Sequence, residues 1–412
     1  MSFDDYLKNY SGYGITVTII DTGVNINRKN LEKKMTEALK DMFNKEFFNM
    51  FTNDLKIIIK NFNTRKFISQ IMDNEWDKKE FKQRCWHITT VLKKYLPADY
   101  KETIAKILEL LDHLKDAHNF SEIDDTKFGL SLEYGWVLDN YVEQYGLDDY
   151  KTSIKAIERI TEFTSCEFAV RPFIIKYPKE MMKQMLVWSK HEHWGVRRLS
   201  SEGCRPRLPW AMSLPSLKEN PTPIIPILEN LKNDTSRFVR LSVANNLNDI
   251  AKDNPETVIN LLEKWQGKSE NIDWVLKHGS RTLLKQGNAE VMEIFGFGTV
   301  KNITIKNFKI STPKIKIGGS LEFGFKLMNN NPKKAKVRLE YGIYYQKANK
   351  TLSKKVCKIS EKEYEKNSTT DIIRKHSFRT VTTRVLHFGL HQVSIIINGK
   401  EFEKYDFELI DK

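Results

Sequence analysis

No stretch of apolar residues in this 412-residue chain approaches the roughly 20 needed to cross a bilayer, and no basic, apolar, cleavable leader pattern opens it. A membrane partner is therefore not expected, and a cytosolic location is. Cysteine is also scarce. Cys85, Cys166, Cys204 and Cys357 lie far apart, with no Cys-x-x-Cys spacing and no histidine pair beside them, which excludes a zinc-ribbon or disulfide framework. What is abundant is charge: 29% of residues are charged, and the formal net charge is +14. An excess of that size attracts polyanions, so nucleic acid becomes a candidate partner, although lysine-rich solvated surfaces carry such charge too.

The length favours two or three modules over one core. Residues 1–34 read as an appended extension. Gly14-Ile-Thr-Val-Thr-Ile-Ile-Asp21-Thr-Gly23-Val24 is a β-branched strand that resembles the aspartate strand of subtilisin-like serine proteases. That triad needs a histidine base and a serine nucleophile in context. The only His-Gly-Ser, at His278 to Ser280, falls in a helical pattern, and no Gly-Thr-Ser-x-Ala occurs. Protease activity is not expected, and Met35 reads as an ancestral start.

Residues 35–297 carry helical periodicity. Val258, Ile259, Leu261, Leu262 and Trp265 fall on one helix face behind Pro255, a residue suited to a first turn. The segments beginning at Ile104, Ile154, Met181 and Ile224 behave alike. Val196-Arg-Arg-Leu, Val239-Arg-Leu-Ser and Val275-Leu-Lys-His recur at a period of about 40 residues, as in HEAT-like arrays. Gly296-Phe-Gly298 ends this text. From 299 to 412, alternating segments at Lys301–Ile310, Ser320–Met328, Ala335–Gln346, Lys375–Val381 and His391–Ile397, with a hairpin signal at Asn398-Gly399, predict about seven strands. The expected fold is a mainly α HEAT-like repeat solenoid followed by an immunoglobulin-like β-sandwich.

Three blocks concentrate chemistry: Ser165-Cys-Glu167-Phe-Ala-Val-Arg171-Pro, then Trp194-Gly-Val-Arg197-Arg198 through Glu202-Gly-Cys-Arg205-Pro-Arg207-Leu-Pro-Trp210, then Val239-Arg240 through Asn245-Asn246-Leu-Asn248-Asp249. Each mixes arginine with carboxylate, amide or aromatic groups near the ends of second helices, which in a solenoid share one groove. Forked guanidiniums suit phosphates, and rings suit sugars or bases. Plainer roles stand beside these. Glu202 pairs with Arg198 at i,i+4, Glu167 caps a helix after Ser165, Asp249 pairs with a neighbouring base, Trp210 packs in a core, and His278 is a satisfied core histidine. Arg171 and Arg207, each beside proline, tie helix ends. Trp86 and Trp136 read as packing.

These blocks, with Glu37-Ala-Leu-Lys-Asp-Met-Phe, Trp274-Val-Leu-Lys-His278-Gly-Ser-Arg281 and Thr382-Thr-Arg-Val-Leu-His-Phe-Gly, resemble the AlkC branch of the AlkC/AlkD bacterial alkylpurine DNA glycosylases. The likeness covers nearly everything after Met35; the protease-like head departs from it. It implies hydrolysis of the N-glycosidic bond of cationic lesions such as N3-methyladenine and N3-methylcytosine in double-stranded DNA, without full extrusion of the base. A cationic base is already a good leaving group, so the enzyme needs anionic stabilisation of an oxocarbenium-like sugar and a positioned water. Glu202, Glu167 and Asp249 are the candidates for that work, with Trp210 covering sugar or lesion. Arg198, Arg205, Arg240, Asn245, His278 and Arg281 are the candidates for holding DNA. No cofactor or metal is needed for such chemistry, no lysine stands in a setting specific for lyase chemistry, and a monomer suffices.

Overall fold

The computed structural model describes residues 39–117, 132–380 and 385–411. The protease-like strand and the expected 1–34 extension lie outside the described residues. Among the described residues, sixteen α-helices come first. They are α1 (Lys45–Ile58), α2 (Thr64–Ile71), α3 (Phe81–Leu92), α4 (Tyr100–Ala117), α5 (Leu132–Tyr145), α6 (Tyr150–Thr161), α7 (Val170–Lys176) and α8 (Pro178–Trp188). There follow α9 (Trp194–Glu202), α10 (Pro215–Glu219), α11 (Ile225–Leu231), α12 (Arg237–Ile250), α13 (Pro255–Trp265), α14 (Glu270–Gly279), α15 (Arg281–Gln286) and α16 (Ala289–Ile294). Among the described residues no helix is long and apolar enough to cross a membrane.

The helices begin where their caps demand. In α1 the Asn44 side chain accepts a hydrogen bond from the Phe47 amide at 2.9 Å, and Phe47, Phe51, Leu55 and Ile58 then recur on one buried face. In α13 the five apolar residues read from the sequence are all buried, each aliphatic one contributing about 1.5–3 kcal/mol by its burial. The repeat is visible in packing. Helix α12 packs against both α9 and α14, and the three recurring valines on these helices, Val196, Val239 and Val275, are each 0% exposed. Successive helices thus bury equivalent positions, as in a HEAT-like array.

Eight strands follow among the described residues: β1 (Ile303–Ile310), β2 (Lys314–Lys316), β3 (Ser320–Asn329), β4 (Ala335–Gln346), β5 (Leu352–Tyr364), β6 (Ser368–Ser377), β7 (Gly389–Ile397) and β8 (Lys400–Ile410). One sheet has the order β1-β3-β6 and the other β2-β8-β7-β4-β5, antiparallel except for β2 on β8. Leu321, Phe323, Phe325 and Leu327 of β3 alternate into the same core as Val337, Leu339 and Ile343 of β4 and Val393, Ile395 and Ile397 of β7. That is a β-sandwich. Asn398 and Gly399 both have positive φ, 46° and 79°, which a two-residue hairpin turn between β7 and β8 requires. Three strands were not anticipated. Strand β2 is only three residues long, β8 carries charges at most positions, and β5 runs along a sheet edge with Lys354, Lys355, Lys358 and Lys362 diluting its alternation. Strand β6 also begins earlier than expected and ends at Ser377.

Helix gives way to strand between Ile294 and Ile303. Packing divides the chain differently from secondary structure: Pro255–Gln266 and the residues from Ser280 onward form one compact unit with the strands, while the described residues up to Asn254 and Gly267–Gly279 form the other.

Candidate active site

Helix α9 carries the centre of the site. Its start is fixed by His193, whose Nδ1 accepts from the Gly195 amide at 3.2 Å. Burial, reinforced by His191 and Arg197, lowers the His193 pKa to about 4, so the ring stays neutral and able to accept. At Gly195 a Cβ would come within 2.8 Å of the Thr161 carbonyl, so glycine lets α9 approach the end of α6. Arg198 and Glu202 follow on α9 one turn apart. Glu167 lies in the turn before α7, Arg205 in the turn after α9, and Asp249 near the end of α12.

These side chains form one continuous ion chain. Arg198 Nη1 lies 2.8 Å from Glu167 Oε2 and donates to Ser165 Oγ at 2.9 Å, while Ser165 Oγ donates to Glu167 at 2.7 Å. Arg198 Nη2 is 3.9 Å from Glu202 Oε1, which accepts a closer bond from Arg205 Nη1 at 2.7 Å. Arg205 Nε donates to Asp249 Oδ2 at 2.8 Å, and Lys252 Nζ reaches Asp249 Oδ1 at 2.9 Å. The five central residues are 1–6% exposed, whereas the Lys252 side chain is 39% exposed and ends the chain at solvent. Taking each ion out of water costs several kcal/mol, so the strict alternation of sign is what makes the arrangement tolerable. Burial alone would raise the Glu202 pKa. Arg205, then Arg198, then the Ser242 hydroxyl overcome it and hold the group below the ordinary glutamate value, so it remains anionic.

Arg171 holds the loop that carries Arg205 and Trp210. It is wholly buried, donating through Nε to the Met212 carbonyl at 2.6 Å and through Nη1 to the carbonyls of Gly203 and Arg205, each at 2.9 Å. Burial lowers its pKa to about 10. Arg207 ties the same loop to Asp253 through two bonds of 2.9 and 2.5 Å. Between these anchors Trp210 is half-buried with a left-handed backbone, φ 65°.

Glu167, Glu202, Asp249, Arg198 and Arg205 are thus brought into direct contact. Asn245 is 8% exposed and stands one turn before Asp249 on α12, while its neighbour Asn246 donates to the Ser201 carbonyl at 2.8 Å and locks α12 to α9. Arg240 is half-buried and donates to the carbonyls of Asp234 and Thr235 at 2.6 and 2.9 Å. His278 stacks on Trp274 at 5.3 Å between centroids. Arg281 opens α15 in the other compact unit, half-buried. Sequence reasoning passed over Lys82, Asp139 and Glu143. With Trp86 and Trp136 they line a cavity of about 230 Å3 beside Phe168, the residue after Glu167. The only signal for it was the aromatic density around Trp86 and Trp136.

Comparison with known proteins agrees with the fold. Residues 135–283 match the model of the DNA alkylation repair enzyme family, and residues 304–411 match that of the C-terminal Ig-like domain of the uncharacterised protein YhaZ. The chain is 38% identical to protein YhaZ of Bacillus subtilis (strain 168), over 90% of this chain and 99% of that one. Its structure is similar, with a TM-score of 0.83 and 31% identity, to the Pseudomonas fluorescens alkylpurine DNA glycosylase AlkC bound to DNA containing an abasic site analog, covering 91% of this chain and 100% of that one. With repeat helices, sandwich and length all matched, the chain belongs to the DNA alkylation repair enzymes, in their AlkC-type branch.

Proposed function

We propose that the protein is a monofunctional DNA glycosylase that hydrolyses the N-glycosidic bond of cationic alkylated bases, N3-methyladenine and N3-methylcytosine among them, in duplex DNA without full extrusion of the base. The observation that carries this reading is the buried chain Glu167–Arg198–Glu202–Arg205–Asp249. It keeps three carboxylates in a low-dielectric interior, where their field on a nearby positive centre is strong.

An alkylated base that bears a positive charge leaves with the bonding electrons and becomes neutral, so no acid is required to protonate it. The charge moves to the sugar as an oxocarbenium-like centre. The carboxylates stabilise that centre, water adds to the anomeric carbon, and the proton lost by the water passes to a carboxylate or to solvent. An abasic site and a free base result. Arg198 and Arg205, read from sequence as phosphate holders, are better placed to hold the carboxylates in position, given their burial and partners. Arg240 and, on the other compact unit, Arg281 are half-buried and remain the candidates for phosphate contact, His278 and Asn245 are further candidates for holding DNA, and Trp210 for covering sugar or lesion. One chain supplies every member of the ion chain, so a monomer is sufficient. Incubation with duplex DNA carrying N3-methyladenine, followed by chromatography of free base, tests the proposal. Release of 3-methyladenine supports it, whereas tight binding without release would mark a non-catalytic binder.

A further inference from the structure

Lys82 stands in the first turn of α3, yet its ammonium works on a segment far along the chain. Its Nζ donates to the backbone carbonyl of Trp210 and lies 4.5 Å from the centroid of the Phe168 ring. The acidic side chains of Asp139 and Glu143, one turn apart on α5, line the same cavity. Trp210 meanwhile has φ 65°, a left-handed conformation uncommon for a bulky residue and maintained only where surroundings over-determine it. Arg171 fixes the chain after this residue through the Met212 carbonyl, and the Ala211 amide closes a turn onto the Leu208 carbonyl at 3.2 Å. The carbonyl of Trp210 itself is grasped by Lys82. The ammonium therefore connects the backbone at Trp210 to the ring of Phe168 in the turn bearing Glu167.

We propose that Lys82 is a positioning residue for Trp210: its ammonium, set against the Phe168 ring and bonded to the Trp210 carbonyl, holds the left-handed backbone that sets where the indole meets the lesion. This rests on the reading of Trp210 as the ring that covers sugar or lesion. Lys82 belongs to none of the ion pairs of the carboxylate chain, so changing it separates ring placement from electrostatic stabilisation. The ammonium must be charged to do this. Lys82 is exposed as a residue, yet partial desolvation of its ammonium lowers its pKa from the ordinary lysine value, and Arg171 acts in the same direction, while Glu143, Asp139 and Cys85 oppose them.

Single-turnover excision from N3-methyladenine DNA tests the proposal with Lys82→Met, Lys82→Arg, Trp210→Ala, Glu202→Gln and the double variant Lys82→Met/Trp210→Ala. A misplaced contact near the reacting centre costs up to about 100-fold, so Lys82→Met is expected to lower the maximal rate roughly 10- to 100-fold while leaving the half-saturating DNA concentration nearly unchanged. Lys82→Arg, which keeps charge and donors, should recover most of the rate. The double variant should be no slower than Trp210→Ala alone, because Lys82 acts through that residue. The parental rate should fall on the alkaline side below the ordinary lysine range, and Lys82→Arg should move that limb upward. Should Lys82→Met fail to fold, Lys82→Gln takes its place with the same expectation. Parental rates for Lys82→Met, or losses that multiply in the double variant, would overturn the proposal. A fully active Trp210→Ala would overturn it too, while a simultaneous loss in Glu202→Gln would leave the glycosylase reading standing.

Discussion

Arg205 Nε donates to Asp249 Oδ2 at 2.8 Å although 44 positions separate the two residues in the chain. The same guanidinium serves Glu202 through Nη1 at 2.7 Å, so one cation compensates carboxylates on two stacked helices. Arg205→Met would remove this shared cation, leaving Glu202 to Arg198 at 3.9 Å and Asp249 to Lys252 at 2.9 Å. Removing one partner of a buried pair costs roughly 3–5 kcal/mol, and the unfolding free energy in urea should fall by about that much at neutral pH. Arg205→Lys should recover only part of it, because an ammonium is not a planar fork. An unchanged unfolding free energy for Arg205→Met would show that water already compensates these carboxylates.

Acid and base should act in opposite directions on two carboxyl groups. Glu202 is held below its ordinary pKa, so its contribution to stability is present above the ordinary glutamate value and lost as pH falls through the folded-state value. Asp139 is buried and accepts from the Ala169 amide at 3.0 Å; burial first, then the nearby Glu143 charge, raise its pKa well above the ordinary value. Its contribution is fully present below the ordinary aspartate pKa and lost as pH rises through the folded-state value. Urea unfolding as a function of pH should therefore show the stability deficit of Glu202→Gln growing as pH rises toward the ordinary glutamate value and level above it. Asp139→Asn should instead gain on the parent as pH rises above the ordinary aspartate value. Slopes of the same sign would contradict both assignments.

Much of this architecture is legible in the residues themselves, because helices betray themselves by apolar spacing and the charged blocks interrupt it. Glu167, Glu202 and Asp249 stood out as carboxylates embedded among arginines, and they converge. Which arginine turns inward was not legible. Arg197 and Arg198 are adjacent, and successive residues point about 100° apart on a helix. Arg197 pairs with Asp234 at 2.6 and 3.0 Å, whereas Arg198 enters the interior to meet Glu167. Lys82 was invisible for another reason: its partner lies 128 positions away, and nothing local marks a lysine that will meet a carbonyl across the fold.

Salt should separate the two kinds of arginine. Each lost phosphate contact releases about one fewer counterion, so Arg240→Ala and Arg281→Ala should each weaken DNA binding uniformly across sequences and reduce the salt slope by about one. Arg198→Ala should instead appear as lost stability, since its guanidinium is 2% exposed between Glu167 and Glu202. Fluorescence-anisotropy titrations over a range of salt concentrations check this. A slope that drops for Arg198→Ala but not for Arg240→Ala or Arg281→Ala would reverse the assignment.

The central claim is that carboxylate charge stabilises the sugar cation, and Glu202→Gln removes that charge while keeping size and hydrogen-bonding capacity. Single-turnover release of 3-methyladenine from duplex DNA measures the chemical step directly. Loss of an electrostatic stabiliser typically costs about 10²–10³ in rate, and a loss of that size with unchanged DNA affinity and circular dichroism is the predicted result. Glu167→Gln and Asp249→Asn are measured beside it, because the three carboxylates share one chain of guanidiniums. If all three variants release base at the parental rate, the carboxylate account is contradicted.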